Sequence, residues 1–227
     1  MQGEIHVWRA WLDGCDSQQL SRTLSAEERA RAEKFHRSED RHQFIAARGL
    51  LRRILGRYLK IAPEDLRFCY GSHGKPALEA GTSGQALHFN LAHSRGLALY
   101  AIALGHEVGV DLEYVCQNLK YKGIAERFFS AREYADLCAF PAGEQRRVFF
   151  NYWTHKEAFV KATGEGLAYR LDEFEISAGR GNATLLSIRD DRRAARHWTL
   201  LHLNPAPDYV ASIAAKGRGW RLRCWHE

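Results

Sequence analysis

Pro63-Glu64-Asp65-Leu66-Arg67-Phe68 and, much later, Leu171-Asp172-Glu173-Phe174-Glu175-Ile176 are the segments on which the fold turns. Each follows a stretch patterned as a long helix and leads into strand-like sequence. Upstream of the first, Phe44, Ile45, Leu51, Ile54, Leu55 and Tyr58 recur at helical spacing and predict a helix from Glu39 to about Leu59. Ser38 is placed to cap that helix and Pro63 to stop it. Upstream of the second, a helix is expected from about Gly143 to Thr163, ended by Gly164. The echo favours an α+β fold of two pseudo-symmetric halves, residues 1–107 and 108–227. Each half is a small sheet packed with a long helix, and the cleft between them is a natural ligand site.

Outward from these segments, Ile5 to Leu12 alternates apolar and polar residues and reads as a strand. Ser25 with Glu28, and Ser130 with Glu133, form capping-box patterns ahead of two short helices, the first ending near Phe35 and the second near Phe140. Leu66 to Tyr70 and Ala86 to Leu91 read as strands flanking a turn at Gly71 to Pro76. Leu97 to Leu104 is almost wholly apolar, as a buried central strand requires, and Gly105-His106-Glu107 links it to Val108–Val115 in an expected hairpin. Strands are further expected at Phe174–Ser177, Ala183–Ile188, Trp198–Leu203, Tyr209–Ala215 and Trp220–Trp225.

Composition narrows the class. Length alone permits one domain or two, and 45% hydrophobic with 26% charged residues excludes a disordered or fibrous chain. The five cysteines are scattered, with neither a Cys-x-x-Cys pair nor zinc spacing, so they read as reduced and mostly buried thiols. No basic leader precedes an apolar core, and no apolar run approaches eighteen residues, so a cytoplasmic protein that does not enter a membrane is expected. Net charge is +6, which suits anionic partners: nucleotides, nucleic acid or acidic proteins.

The chemistry concentrates in two places. In Trp153-Thr154-His155-Lys156-Glu157-Ala158-Phe159-Val160-Lys161, Glu157 and Lys161 are four residues apart and share a helix face. In Gly109-Val110-Asp111-Leu112-Glu113, two carboxylates share one face of a strand, with Cα atoms roughly 6.6 Å apart, and they repel unless a cation compensates. A hard divalent cation does so, and magnesium is usually held by one or two carboxylates together with substrate phosphates. Asp111, Glu113 and Glu157 meet that description if the long helix packs beside the hairpin. Plainer readings exist for each: a solvated Asp-x-Glu strand face, an exposed Glu157–Lys161 pair, a solvated Lys156. Gly74-Lys75-Pro76 lacks the rest of a phosphate loop, and His93 at a strand end reads equally as a local hydrogen-bonding residue. His155 points elsewhere and receives no catalytic role.

Taken together, Gly74-Lys75-Pro76, Phe89-Asn90-Leu91-Ala92-His93-Ser94, Gly109 to Glu113, Arg127-Phe128-Phe129-Ser130-Ala131-Arg132-Glu133, Trp153 to Lys161 and Gly164-Glu165-Gly166-Leu167 resemble the 4′-phosphopantetheinyl transferase superfamily. The likeness is to its longer monomeric type, related to surfactin-synthetase activators. The segments occur in the family's order and span most of the chain. The resemblance implies transfer of 4′-phosphopantetheine from coenzyme A to a serine of an apo carrier protein, releasing 3′,5′-ADP, with Mg2+ on the diphosphate. It implies Asp111, Glu113 and Glu157 as metal ligands, Glu157 as general base, and Lys161 as stabiliser of the departing 3′,5′-ADP. Lys75, His93, Lys156, Arg31 and Arg48 would contact coenzyme A, and the carrier would be acidic. Two departures stand out: Ala92 where the family has serine, and Glu28 where some members carry lysine. The rivals are a magnesium-dependent phosphohydrolase, which would break down coenzyme A without a carrier, and a nucleic-acid-binding module using Arg29 to Arg57. No nucleic-acid motif supports the latter.

Overall fold

The computed structural model describes residues 1, 3–79, 86–166 and 169–227. The chain runs β1 (Glu4–Trp11), α1 (Ser17–Ser21), α2 (Ala26–Glu33), α3 (Ser38–Leu59), β2 (Phe68–Tyr70), β3 (Pro76–Leu78), β4 (Leu87–Ser94) and β5 (Leu97–Leu104). It continues through β6 (Val108–Tyr114), α4 (Tyr121–Phe128), α5 (Ala131–Ala139), α6 (Ala142–Thr163), β7 (Phe174–Ser177), β8 (Thr184–Ile188), α7 (Arg192–Ala195), β9 (Trp198–Leu203), β10 (Tyr209–Lys216) and β11 (Arg221–His226).

Two sheets carry the architecture. One has the order β11-β1-β5-β4, the other β6-β10-β9. Strands β1, β5 and β4 pair antiparallel in the same pattern as β6, β10 and β9, so each half repeats one topology around its own helix. Helices α3 and α6 each span 22 residues and each end in a left-handed residue, Lys60 and Gly164. After each comes a 3₁₀ turn, Pro63–Asp65 or Leu171–Glu173, then a two-stranded hairpin, β2–β3 or β7–β8. The sequence echo is that shared turn.

The layers are α3, first sheet, second sheet, α6. Ala98, Tyr100 and Ile102 of β5 pack toward α3, whereas Leu97, Leu99, Ala101 and Ala103 pack against Val108, Val110, Leu112, Ala211 and Ile213 of the second sheet. Burial on both faces explains why β5 is an unbroken apolar run. The expected hairpin of β5 with β6 does not form. The three-residue link instead steps from one sheet to the other, because β6 finds its partner in β10, a hundred residues downstream. The division at 107/108 therefore falls between sheets, but residues 221–226 of the second half join the first half's sheet, parallel to β1.

Both expected capping boxes are present, and each glutamate has a second task. Glu28 of α2 receives Arg52 Nε at 2.7 Å and Arg48 Nε at 2.9 Å from α3. Glu133 of α5 receives Lys156 Nζ of α6 at 2.6 and 2.8 Å and the Ile176 amide at 2.9 Å. In each half, then, a short helix's capping carboxylate anchors the long helix through a buried ion pair. Ser38 is not the cap of α3; it is the first helical residue, and Arg37 takes the cap position without a side-chain bond.

Candidate active site

Helix α6 lies directly on β6. A Cβ at Gly109 would collide with the Ala158 carbonyl and the Ala162 amide, so only glycine lets the helix approach this closely. That approach brings Glu157 and Lys161, one turn apart on α6, against Asp111 on β6. Lys161 Nζ donates to Asp111 Oδ1 at 2.5 Å, and Asp111 Oδ2 is buried with no hydrogen-bond partner among the described residues. Two strand positions along, Glu113 accepts the Ser94 hydroxyl at 3.2 Å.

The electrostatics report the crowding. Burial, then Asp111, raise the Glu113 carboxyl to about 7, with Glu157 adding to the rise. Burial and Asp111 also raise Glu157. Burial works to lower the Lys161 ammonium, but Asp111, Glu157 and Glu113 outweigh it and its pKa stands above the ordinary lysine value. Three carboxylates thus share one lysine, an excess of negative charge that a cation would relieve.

The second sheet's edge is closed by side chains rather than by another strand. Asn90 Oδ1 of β4 accepts the Val110 amide at 2.9 Å and Ser94 Oγ accepts the Tyr114 amide at 3.2 Å. Ala92, between them in the alternation, packs into the core between the sheets. This bridging role of Asn90 and Ser94 was not read from the sequence; their i, i+4 placement on one strand face was the signal available.

Glu157 and Lys161 open onto a cleft of about 760 Å³ that also takes in His73, Gly74, Lys75 and Pro76 of the β2–β3 turn, Asn90, Arg127, Trp153 and Tyr169. Lys75 Nζ spans the two halves, donating to Ala162 O at 3.1 Å and to Val108 O at 3.4 Å, and burial lowers its pKa to about 8 against the pull of Glu107. Desolvation and the Lys161 ammonium hold the His93 imidazole below its usual range. Leu167 lies outside the described residues.

Lys156 requires a correction. Its side chain is 0% exposed and its ammonium is spent on Glu133 and the Phe174 carbonyl, on the side of α6 away from the cleft, so it cannot reach coenzyme A. Arg48 is also not open to a ligand: it is 6% exposed, paired with Glu28, bonded to the Tyr70 hydroxyl at 2.6 Å and laid over the Phe68 ring. Arg31 is exposed on α2 and sits over Phe44; neither arginine lines the cleft.

Among the described residues, no three His, Cys, Asp or Glu side chains are grouped closely enough to hold a metal ion unaided. Magnesium does not ask for that, since waters and substrate phosphates complete its shell. The donors on offer are hard oxygens, and one of them, Asp111 Oδ2, lacks a partner. They fit such an ion.

The sheet pair, a long helix on each outer face and the acidic strand define a two-halved α+β protein with a cleft, and comparison with known proteins places it in a family. A family model described as "4'-phosphopantetheinyl transferase, N-terminal" matches residues 8–103, and one described as "4'-phosphopantetheinyl transferase superfamily" matches residues 107–214. The chain belongs to that superfamily and is an enzyme of its longer, Sfp-like type. It is 42% identical over 228 residues, 100% of this chain and 93% of the other, to the 4'-phosphopantetheinyl transferase HetI of Nostoc sp.. It is 30% identical over 167 residues, 74% of this chain and 72% of the other, to the 4'-phosphopantetheinyl transferase Sfp of Bacillus subtilis.

Proposed function

We propose that the enzyme moves 4′-phosphopantetheine from coenzyme A onto a serine hydroxyl of an apo carrier protein, releasing 3′,5′-ADP. The serine oxygen forms the new bond to the β-phosphorus as the bond to the departing 3′,5′-ADP breaks. The observation that carries this reading is the clustering of Asp111, Glu113, Glu157 and Lys161, the last two of which open onto one long cleft.

Glu157 accepts the proton of the attacking serine. Lys161 balances the charge that collects on the 5′-phosphate of the departing 3′,5′-ADP as the diphosphate is cleaved. Lys75 and His93 neutralise coenzyme A phosphates, and Arg31 serves the nucleotide end. Asp111, Glu113 and Glu157 would hold Mg2+, which when bound would withdraw charge from the diphosphate. Buried Asp111, fixed by Lys161, orients that set. The carrier is acidic, matching the net charge of +6. One chain supplies every group in the site, so a monomer suffices, and the free cysteines, none of them buried as the sequence had suggested, suit the cytoplasm.

Incubation of the enzyme with coenzyme A, magnesium and an apo carrier is expected to add the mass of phosphopantetheine at one serine. Glu157→Gln is expected to lose nearly all transfer while coenzyme A still binds. An unchanged carrier mass across several carrier types, or coenzyme A breakdown without any carrier, defeats the proposal.

A further inference from the structure

The β4–β5 turn of the first half lies against the edge of the second sheet, beside the acidic strand. Ser94 pairs with Leu97 across it, so the turn has two residues, Arg95 and Gly96, both at positive φ, +43° and +78°, as tight hairpin turns require. It is pinned from three sides. The Tyr209 hydroxyl of β10 donates to the Arg95 carbonyl at 2.8 Å, the Leu12 amide donates to the Gly96 carbonyl at 2.7 Å, and the Arg95 guanidinium lies over the Tyr114 ring, 4.6 Å from its centroid. A shift of Ser94, at the root of the turn, would disturb these contacts.

The Ser94 hydroxyl has one proton to give, and its neighbours decide where it goes. The Tyr114 amide, 3.2 Å from Oγ, can only donate, so the hydroxyl accepts there and gives its own proton to Glu113 Oε2, also at 3.2 Å. Glu113 needs such a hold. It has three rotatable side-chain bonds to order, and Asp111 and Glu157 act on it as like charges, which favours any rotamer that swings it away from them. There is room to swing: Ser94 and Glu113 line a separate cavity of about 300 Å³, with Arg95 and Trp153 also on its wall, whereas Glu157 and Lys161 line the main cleft.

We infer that Ser94 is a positioning residue for the transfer reaction, a hydroxyl of the first half that fixes the Glu113 carboxylate of the second half beside Asp111. The inference rests on the magnesium-dependent transfer proposed above and goes beyond it by giving the carboxylate set a support from the opposite half. Carboxylates that take a metal ion are themselves held by hydrogen bonds, and loss of such a partner costs roughly 10–100-fold in metal affinity or activity. Ser94 touches neither substrate nor ion; it acts through Glu113. Because the same oxygen accepts the Tyr114 amide, the orientation of Glu113 depends on the edge of the second sheet staying against β4.

Manganese(II) is a suitable probe, because it takes the same oxygen ligands as magnesium and its unbound form is counted by electron paramagnetic resonance without any turnover. The full chain is titrated with Mn2+ in the presence of coenzyme A and no carrier. Ser94→Ala is expected to weaken Mn2+ binding about 10-fold or more, and Ser94→Thr, which keeps the hydroxyl, to stay within about threefold of wild type. Added to Glu113→Gln, Ser94→Ala should cost nothing further, since a residue that acts through Glu113 has nothing left to position. Equal Mn2+ binding by wild type and Ser94→Ala overturns the inference, as does a further loss of about 10-fold in the double variant, the mark of a merely structural role. A wild-type crystal with Mn2+ and coenzyme A in which Glu113 has left Ser94 overturns it without any variant. In each of these cases a wild type that still loads a carrier keeps the proposed function and loses only the role of Ser94; a wild type that loads none defeats both.

Discussion

Lys75, from the first half, sets its ammonium on two carbonyls of the second, those of Val108 and Ala162, and burial brings its pKa to about 8. A lysine whose folded pKa falls below its unfolded value binds fewer protons in the fold between roughly pH 8 and 10.5, so its share of stability rises across that window and is a cost below it. A phosphate beside Lys75 reverses the bias by favouring the charged form. Coenzyme A should therefore bind with proton uptake above pH 8, and its KM should rise up to about tenfold between pH 7.5 and 9. Lys75→Arg keeps its charge throughout and should flatten the rise; an equal slope in that variant would remove Lys75 from the binding surface. At this scale the sequence was readable where spacing alone decides neighbours, as with Glu157 and Lys161. It was not readable for Lys156, since only the packing of α5 and β7 against α6 shows that its partner is a buried capping glutamate.

Among the elements, the contact of α6 with β6 matters most, because it sets the distance between Asp111 and Glu157. Gly109→Ala forces a Cβ into the Ala158 carbonyl and the Ala162 amide, backbone atoms that cannot rotate away. The helix must lift from the sheet. A loss of about 2–4 kcal/mol in stability is expected, seen as a lower urea midpoint, together with a fall in transfer rate at temperatures where the variant is still folded. A stable, fully active Gly109→Ala enzyme would show that the helix and strand are not held at the contact described. Most elements were legible from periodicity and caps, and β5 and β9 fall on the residues expected. The β5–β6 hairpin was misread for a physical reason: a three-residue link permits either a hairpin or a step between sheets, and the choice belongs to β10, which no local pattern reveals. Helices α1, α4 and α7 and strand β3 went unread, being only three to eight residues long.

In the molecule as a whole, the two halves were visible as a repeated order of elements, but their interlocking was not. β11 lies beside β1, with Trp225 stacked on Trp8 at 5.3 Å and Glu227 accepting both Arg57 guanidinium nitrogens. Removing residues 221–227 uncovers β1 and loses the packing of Leu222 and Trp225, a cost of about 3 kcal/mol, or roughly 6–12 °C in Tm for a chain of this size. No residue of β11 lines the cleft, so the KM for coenzyme A should change by less than about twofold at 20 °C. A truncated enzyme that melts at the wild-type temperature would mean that β11 only decorates the edge. The same pairing has a consequence during synthesis. β11 is made only after every strand of the second sheet, so a nascent chain carries the bare flank of β1 until that sheet has been synthesised.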